Sequence, residues 1–247
     1  GGTNAADLAS WQTLSGLDTN SISIESQFEA DTNLHTSLAS FNGAATPQAQ
    51  VTVDFDGETR DPLTPDIGAD EFSPATEEAS LISFNGPTAP FTSGPQTVYV
   101  TLLNNGADTL RSVTLEWEVN GQMQTPYNWN GALPSGQTLD SIPVGTYSFM
   151  PAVAHDVVVY STFPNNVPDQ KPENDTTESL GLYPALSGFY SIGAIQADFT
   201  DFDEALTALH AGGVIGWVTF NVQAGAYTHN LTFKQILGAI HTALEVY

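Results

Sequence analysis

The densest chemistry in the chain lies at positions 51–72, "VTVDFDGETRDPLTPDIGADEF", where Asp54, Asp56, Glu58, Asp61, Asp66, Asp70 and Glu71 surround a single Arg60. Carboxylates this close together can hold a hard cation, work as paired acids on a sugar, or cap tight turns. The opening Asp-x-Asp-Gly suits a calcium loop, and Asp54, Asp56, Asp61 and Asp66 are the candidate Ca2+ ligands. EF-hand spacing is not met, because Gly57 comes two positions early and no Glu stands where the bidentate ligand belongs. Catalysis by a carboxylate pair needs a cleft that keeps one acid protonated, whereas a turn-rich segment with this many acids reads as solvated charge. Closure of a fold end by Asp and Gly turns is preferred to the calcium cage, and both readings stay open.

Elsewhere the residues with chemistry are sparse. Asp169, Glu173 and Asp175 share the loop "NNVPDQKPENDT", which reads either as a calcium site between modules or as a solvated connection. Tyr127 and Trp129, in "TPYNWNGALPSG", sit on a segment flanked by Pro and Gly. Read as an exposed loop, the segment makes them candidates for stacking on sugar rings, against the plainer alternative of packing over a sheet edge. His35, His155, His210, His229 and His241 form no HxH or HExxH pair, and neither a G-x-S-x-G elbow nor a phosphate-cradling loop occurs. No catalytic residue is assigned, and no cofactor is expected apart from calcium.

The elements that must position these groups are β-strands. In "VTLEWEV", Val113, Leu115, Trp117 and Val119 alternate with Thr114, Glu116 and Glu118, the period-2 pattern of a half-buried strand. Asn120-Gly121 follows at once as a hairpin signal. "TVYVTLLNNG", "GTYSFM", "HDVVVYST" and "ESLGLY" supply further strands, giving about seven within 81–182, the texture of an immunoglobulin-like sandwich. Without cysteines there is no inter-sheet bridge, so Trp117 is the expected core anchor. Residues 1–72 are polar and turn-rich, and "SPATEEAS" at 73–80 reads as a linker. Past 183, Phe199, Phe202, Leu206 and Leu209 fall on one helical face. Thr200 or Asp201 caps that helix, Glu204 completes a capping box and Gly212 or Gly213 ends it. A strand through Val218, Phe220 and Val222 comes next, an order suited to covering the open end of a solenoid.

Four basic residues against 28 acidic ones leave a net charge of −24, which argues against nucleic acid or an anionic membrane as partner. Only 13% of residues are charged, and a surface of Thr, Ser, Asn and Gly suits an extracellular β-protein. The absence of cysteine removes disulfides and thiolate metal sites. No apolar run reaches the ~20 residues of a membrane span. The opening "GGTNAADLASWQTLSG" reads as the middle of a longer protein.

"ADLASWQTLSGLDTNSIS", "LH" and "VTVDFDGETRDPLTPDIGADEF" together resemble the final coils of right-handed parallel β-helices in giant surface proteins of Bacteroidetes-type bacteria. Gliding-motility and hemagglutinin-like adhesins belong to that group. "VTLLNNGADTLRSVTLEWEVNGQMQTPYNWNGALPSG", "HDVVVYSTFPNN" and "ENDTTES" resemble the CARDB-type immunoglobulin-like modules of the same proteins. "LSGFYSIGAIQADFTDFDEALTALHAGGVIGWVTFNVQAGAYTHNLTF" resembles the opening of another β-helix, while "KQILGAIHTALEVY" departs from the pattern and residues 235–247 stay unassigned.

The resemblance implies an all-β architecture with one short capping helix. Its parts are β-helix coils at 1–72, a linker at 73–80, a sandwich at 81–182 and the cap and first coils of a further β-helix at 183–247. In it the acidic stretch closes the last coil, with Arg60 pairing to Asp66, Asp70 or Glu71. The implied function is a non-catalytic structural repeat of a bacterial cell-surface adhesin or filament, extending a stalk and serving adhesion or gliding. The parent protein would be exported by a type IX route. Expected partners are neighbouring repeats and surface polysaccharide, with no nucleic acid and no direct membrane insertion. A carbohydrate-binding module is the alternative. A polysaccharide lyase or hydrolase fragment is a weaker one, because Arg60, Arg111, Lys171 and Lys234 are the whole basic stock and lie far apart. Asp108, Asp140 and Asp175 open Asp-Ser/Thr-apolar triplets that match an O-glycosylation pattern of these bacteria, with Thr109, Ser141 and Thr176 as candidate acceptors.

Overall fold

The computed structural model describes residues 5–24, 26, 28, 32–36, 38–228, 231, 232 and 234–239, so His229 and His241 lie outside the described residues. The chain divides into two compact units, Gly1–Ser73 and Pro74–Tyr247. Antiparallel sheets dominate, and two α-helices accompany them. No helix among the described residues is long and apolar enough to cross a membrane.

The first unit corrects the expectation of a single helix. Helix α1 (Leu8–Ser15) forms where β-helix coils were expected. Its boundaries come from local chemistry: Asp7 accepts from the Ser10 amide at 2.7 Å, and Gly16 closes the helix at φ +67°. None of its residues is buried, so capping rather than packing sets its limits. Among the described residues of this unit no strand forms; Val53 and Thr59 make one isolated antiparallel bridge. The acidic stretch is a web of turns. Asp54 Oδ1 accepts from the Asp56 and Glu58 amides, and its Oδ2 accepts from the Glu71 amide. Asp61 accepts from Leu63 and Thr64, and buried Asp66 from Gly43 and Phe72. Arg60 pairs with Glu71 at 3.4 Å and donates to the carbonyls of Gly68 and Asp66.

The second unit begins with β1 (Ala79–Gly86), β2 (Gly94–Asn104), β3 (Leu110–Val119), β4 (Gln122–Met123) and β5 (Tyr127–Leu133). It continues with β6 (Thr138–Phe149), β7 (His155–Thr162) and β8 (Thr176–Leu182). One antiparallel sheet runs β1-β2-β6; the other runs β4-β3-β7-β8, with β5 also paired to β3. The alternation read in β3 holds, with Val113, Leu115, Trp117 and Val119 all buried. Asn120 and Gly121 both take positive φ, 50° and 73°, as a two-residue hairpin turn requires. Inward residues of both sheets join one apolar cluster that includes Val98, Val100, Leu115, Trp117, Ile142 and Val159. Trp117 anchors it, its Nε1 donating to the Thr125 carbonyl at 2.9 Å. Gly145 lies under the indole so closely that an added Cβ would stand 2.5 Å from Cζ2.

A smaller cluster follows from β9 (Leu186–Ile192), α2 (Phe202–Gly212) and β10 (Val214–Val222). The two strands pair in parallel, and Leu186, Tyr190 and Ile192 pack with Phe199, Ala205, Ala208 and Leu209. Asp201 caps α2 by accepting from the Glu204 amide at 3.0 Å. Glu204 reaches back to Thr200, taking both its amide and its hydroxyl, one residue beyond the expected capping-box partner Asp201.

Candidate metal centre

The residue just ahead of β1 and the loop before β8 bring three carboxylates together. Glu78 stands at the start of β1, while Asp169 and Asp175 belong to the connection between β7 and β8. That connection is laced to residues 75–79. Asp169 accepts from the Ala79 amide at 3.0 Å and Gln170 Oε1 takes the amides of Thr76 and Glu77, while Ser161, near the end of β7, donates to the Ala79 carbonyl. Asn165 ties the same loop to β3 by accepting from the Arg111 amide at 2.6 Å. The chain is therefore held so that one ligand oxygen from each of Glu78, Asp169 and Asp175 lies within 4.8 Å of the others.

Burial makes this arrangement costly as it stands. Glu78 is 1% exposed and Asp175 is 6% exposed. Burial pushes Glu78 up to about 7, with the Asp169 charge adding to it against hydrogen bonds from Ser80, Asn174 and Asn105. Asp175 is pushed up to about 8 by burial, with Asp169, Glu78 and Glu173 repelling its charge. Asp169 is raised as well, again mainly by burial. Among the described residues no Lys, Arg or His comes within 4.0 Å of these three carboxylates. Asn174, whose side chain bonds Glu78, has a buried Oδ1 with no partner. All available donors are thus hard oxygens, the ligand type of Ca2+ and Mg2+. The site is compact, acidic and able to coordinate a metal ion.

A second cluster occupies the first unit: His35, Asp56 and Asp70, their ligand atoms also within 4.8 Å of one another. His35 Nε2 lies 2.5 Å from Asp56 and 4.0 Å from Asp70. Burial raises Asp70, with the nearby His35 opposing and Asp54 and Asp56 adding to the rise.

The calcium ligands expected from sequence are not gathered into one cage. Of Asp54, Asp56, Asp61 and Asp66, only Asp56 enters a cluster of ligand type, while the other three cap backbone amides. Burial opposes ionisation of Asp54, but the amides of Glu71, Glu58, Asp56 and Gly57 outweigh it and lower the carboxyl; the Thr64 and Leu63 amides lower Asp61 likewise. Of the loop set, Asp169 and Asp175 meet, whereas Glu173 is exposed and enters neither cluster. Sequence reading missed Glu78, which lay in the presumed linker; the signal would have been an acid just ahead of the apolar alternation that starts at Ala79. The glycan reading of Trp129 needs correction in its premise: its segment is strand β5 rather than a loop, and the indole is 8% exposed within the core. Tyr127 packs half-buried against that core. Ser141 and Thr176 are exposed and Thr109 half-buried.

No known protein family matches the chain, and no curated protein does. Among solved structures, the crystal structure of the CARDB domain of the PF1109 protein from Pyrococcus furiosus in complex with di-metal ions matches part of it. Identity is 12%, coverage is 42% of this chain and 84% of that one, and the TM-score is 0.33. The solution structure of the same archaeal domain matches at 19% identity, covering 41% of this chain and 92% of that one, with a TM-score of 0.30. The likeness to a CARDB-like domain is weak and partial.

Proposed function

We propose that the second unit is a non-catalytic, ion-binding β-module in which Ca2+ at Glu78, Asp169 and Asp175 clamps the start of β1 to the loop between β7 and β8. The observation that carries this reading is the convergence of three carboxylates, Glu78 and Asp175 buried and Asp169 half-buried, with no cationic side chain within 4.0 Å of them among the described residues. Removing several like charges from water costs several kcal/mol per ion unless an opposite charge accompanies them. The all-oxygen donor set selects a hard cation, and the adaptable coordination of Ca2+ suits carboxylates gathered from two segments better than the strict octahedron of Mg2+ does. Such an ion contributes structure rather than turnover. The sandwich of immunoglobulin-like type is part of the same proposal, supported by two antiparallel sheets contributing to one apolar cluster.

The wider role we infer is a repeat of a bacterial cell-surface adhesin or filament, exported and flanked by β-helix segments that pair with neighbouring repeats. Its support is the strongly acidic, cysteine-free composition and the residues that resemble surface adhesins. A carbohydrate-binding role through Tyr127 and Trp129 has less support, since Trp129 is buried. Thermal melting of the full chain in millimolar calcium, in magnesium and in chelator tests the proposal. The expected result is a calcium-specific rise that Asp175→Asn removes. A melting temperature indifferent to calcium would overturn it.

A further inference from the structure

The first unit's cluster differs from the calcium site in one atom that changes its chemistry: an imidazole nitrogen. His35 donates its backbone amide to Asn33 Oδ1 at 3.2 Å, and its ring Nδ1 contacts the same oxygen. An oxygen that accepts from a backbone N–H cannot be the amide nitrogen of a flipped Asn33, so Nδ1 must carry a proton to bond it. The other ring nitrogen, Nε2, is thereby turned toward Asp56 and Asp70, at 2.5 and 4.0 Å. A neutral imidazole would set its lone pair against carboxylate oxygens, which is repulsive. A positive species therefore belongs at that point, either a proton on Nε2 or a metal ion bonded to it.

We propose that His35 Nε2, Asp56 and Asp70 form a second metal site, for a borderline transition ion of the Zn2+ class, chemically distinct from the calcium site of the other unit. Three features favour that class. Zinc accepts a histidine nitrogen together with carboxylate oxygens, whereas Ca2+ takes oxygens almost alone and needs six to eight of them. Ligand atoms around a tetrahedral zinc stand about 3.4 Å apart, given metal–ligand bonds near 2.1 Å. The two distances from Nε2 bracket that value, so small side-chain rotations complete the geometry. Asn33 supplies the outer hydrogen bond that fixes the tautomer and aim of a metal-ligating histidine. Metal entry displaces the Nε2 proton, and water fills the remaining coordination position. Asp54 is no part of the site; its oxygens are committed to the amides of Asp56, Glu58 and Glu71.

Cobalt(II) titration of the full chain, held in excess calcium so that the other site is filled, tests the inference. The expected result is one equivalent bound with visible d–d absorption, displaced by zinc and not by calcium. His35→Gln, a change at a side chain 35% exposed, and Asp70→Asn should each weaken cobalt binding at least tenfold, and Asp175→Asn should leave it unchanged. Melting curves establish that each variant is folded. Absence of a one-equivalent cobalt complex, or a complex that survives His35→Gln, would overturn the assignment.

Discussion

Glu78, Asp169 and Asp175 are held at one point by hydrogen bonds between their two segments, one of them from the Ala79 amide to Asp169 itself, so the cluster persists although its members repel. Asn174, whose side-chain amide bonds Glu78, stands beside them with a buried oxygen that has no partner. Arg60 shows the opposite solution to the same problem of crowded acids: it pairs with Glu71, and the two side chains are 10% and 16% exposed. Replacing Arg60 by Met would leave Glu71 half-buried without its cation and two carbonyls without donors. We expect a loss of about 1–3 kcal/mol in the first unit's stability, read by chemical denaturation, whereas Glu58→Gln, at an exposed side chain, should change little. Gly145 makes a second residue-scale test. Gly145→Ala drives a methyl into the Trp117 indole and should cost about 1–3 kcal/mol, with a change in tryptophan fluorescence.

Among the elements, α2 is bounded by the capping its sequence advertises, so Asp201→Ala should destabilise the α2 cluster by about 1 kcal/mol in a denaturant melt, and Asp201→Asn much less. How legible each element was depends on whether its determinants are local. The period-2 pattern of β3, the Asn120-Gly121 turn and the cap of α2 are local, and each was readable. Strand β5 was not, because "YNWNGAL" carries Asn and Gly that read as turn residues, and its pairing to β3 and the burial of Trp129 override them. Helix α1 escaped because its apolar residues mark no buried face. The metal centre was half legible. Asp169 and Asp175 share a loop, but Glu78 reaches them only through pairing between segments some 90 residues apart, as the Asp169–Ala79 bond shows. In the first unit the acidic density was visible from sequence, while its division into amide caps and one His-carboxylate cluster depends on which backbone amides each carboxylate meets.

For the second unit as a whole, the account makes stability a function of protons and calcium together. Glu78 and Asp175 have folded values of about 7 and 8, above their unfolded ones, so their contribution is fully present in acid and is lost as pH rises through those values. His155 works the other way below this range, because burial lowers it and acid would force a proton into the core. Between pH 6.5 and 8.5 the carboxylates dominate, and in chelator the melting temperature should fall across that interval. Saturating calcium should flatten the slope, since the ion stabilises the ionised carboxylates that the protons otherwise neutralise. The central claim is best tested by calorimetric titration of calcium into the full chain at pH 7.5, in two buffers of different ionisation enthalpy. The account predicts one calcium bound with release of protons, and loss of both signals in Asp175→Asn. Calcium binding that survives that substitution, or none at all in the unaltered chain, would contradict it.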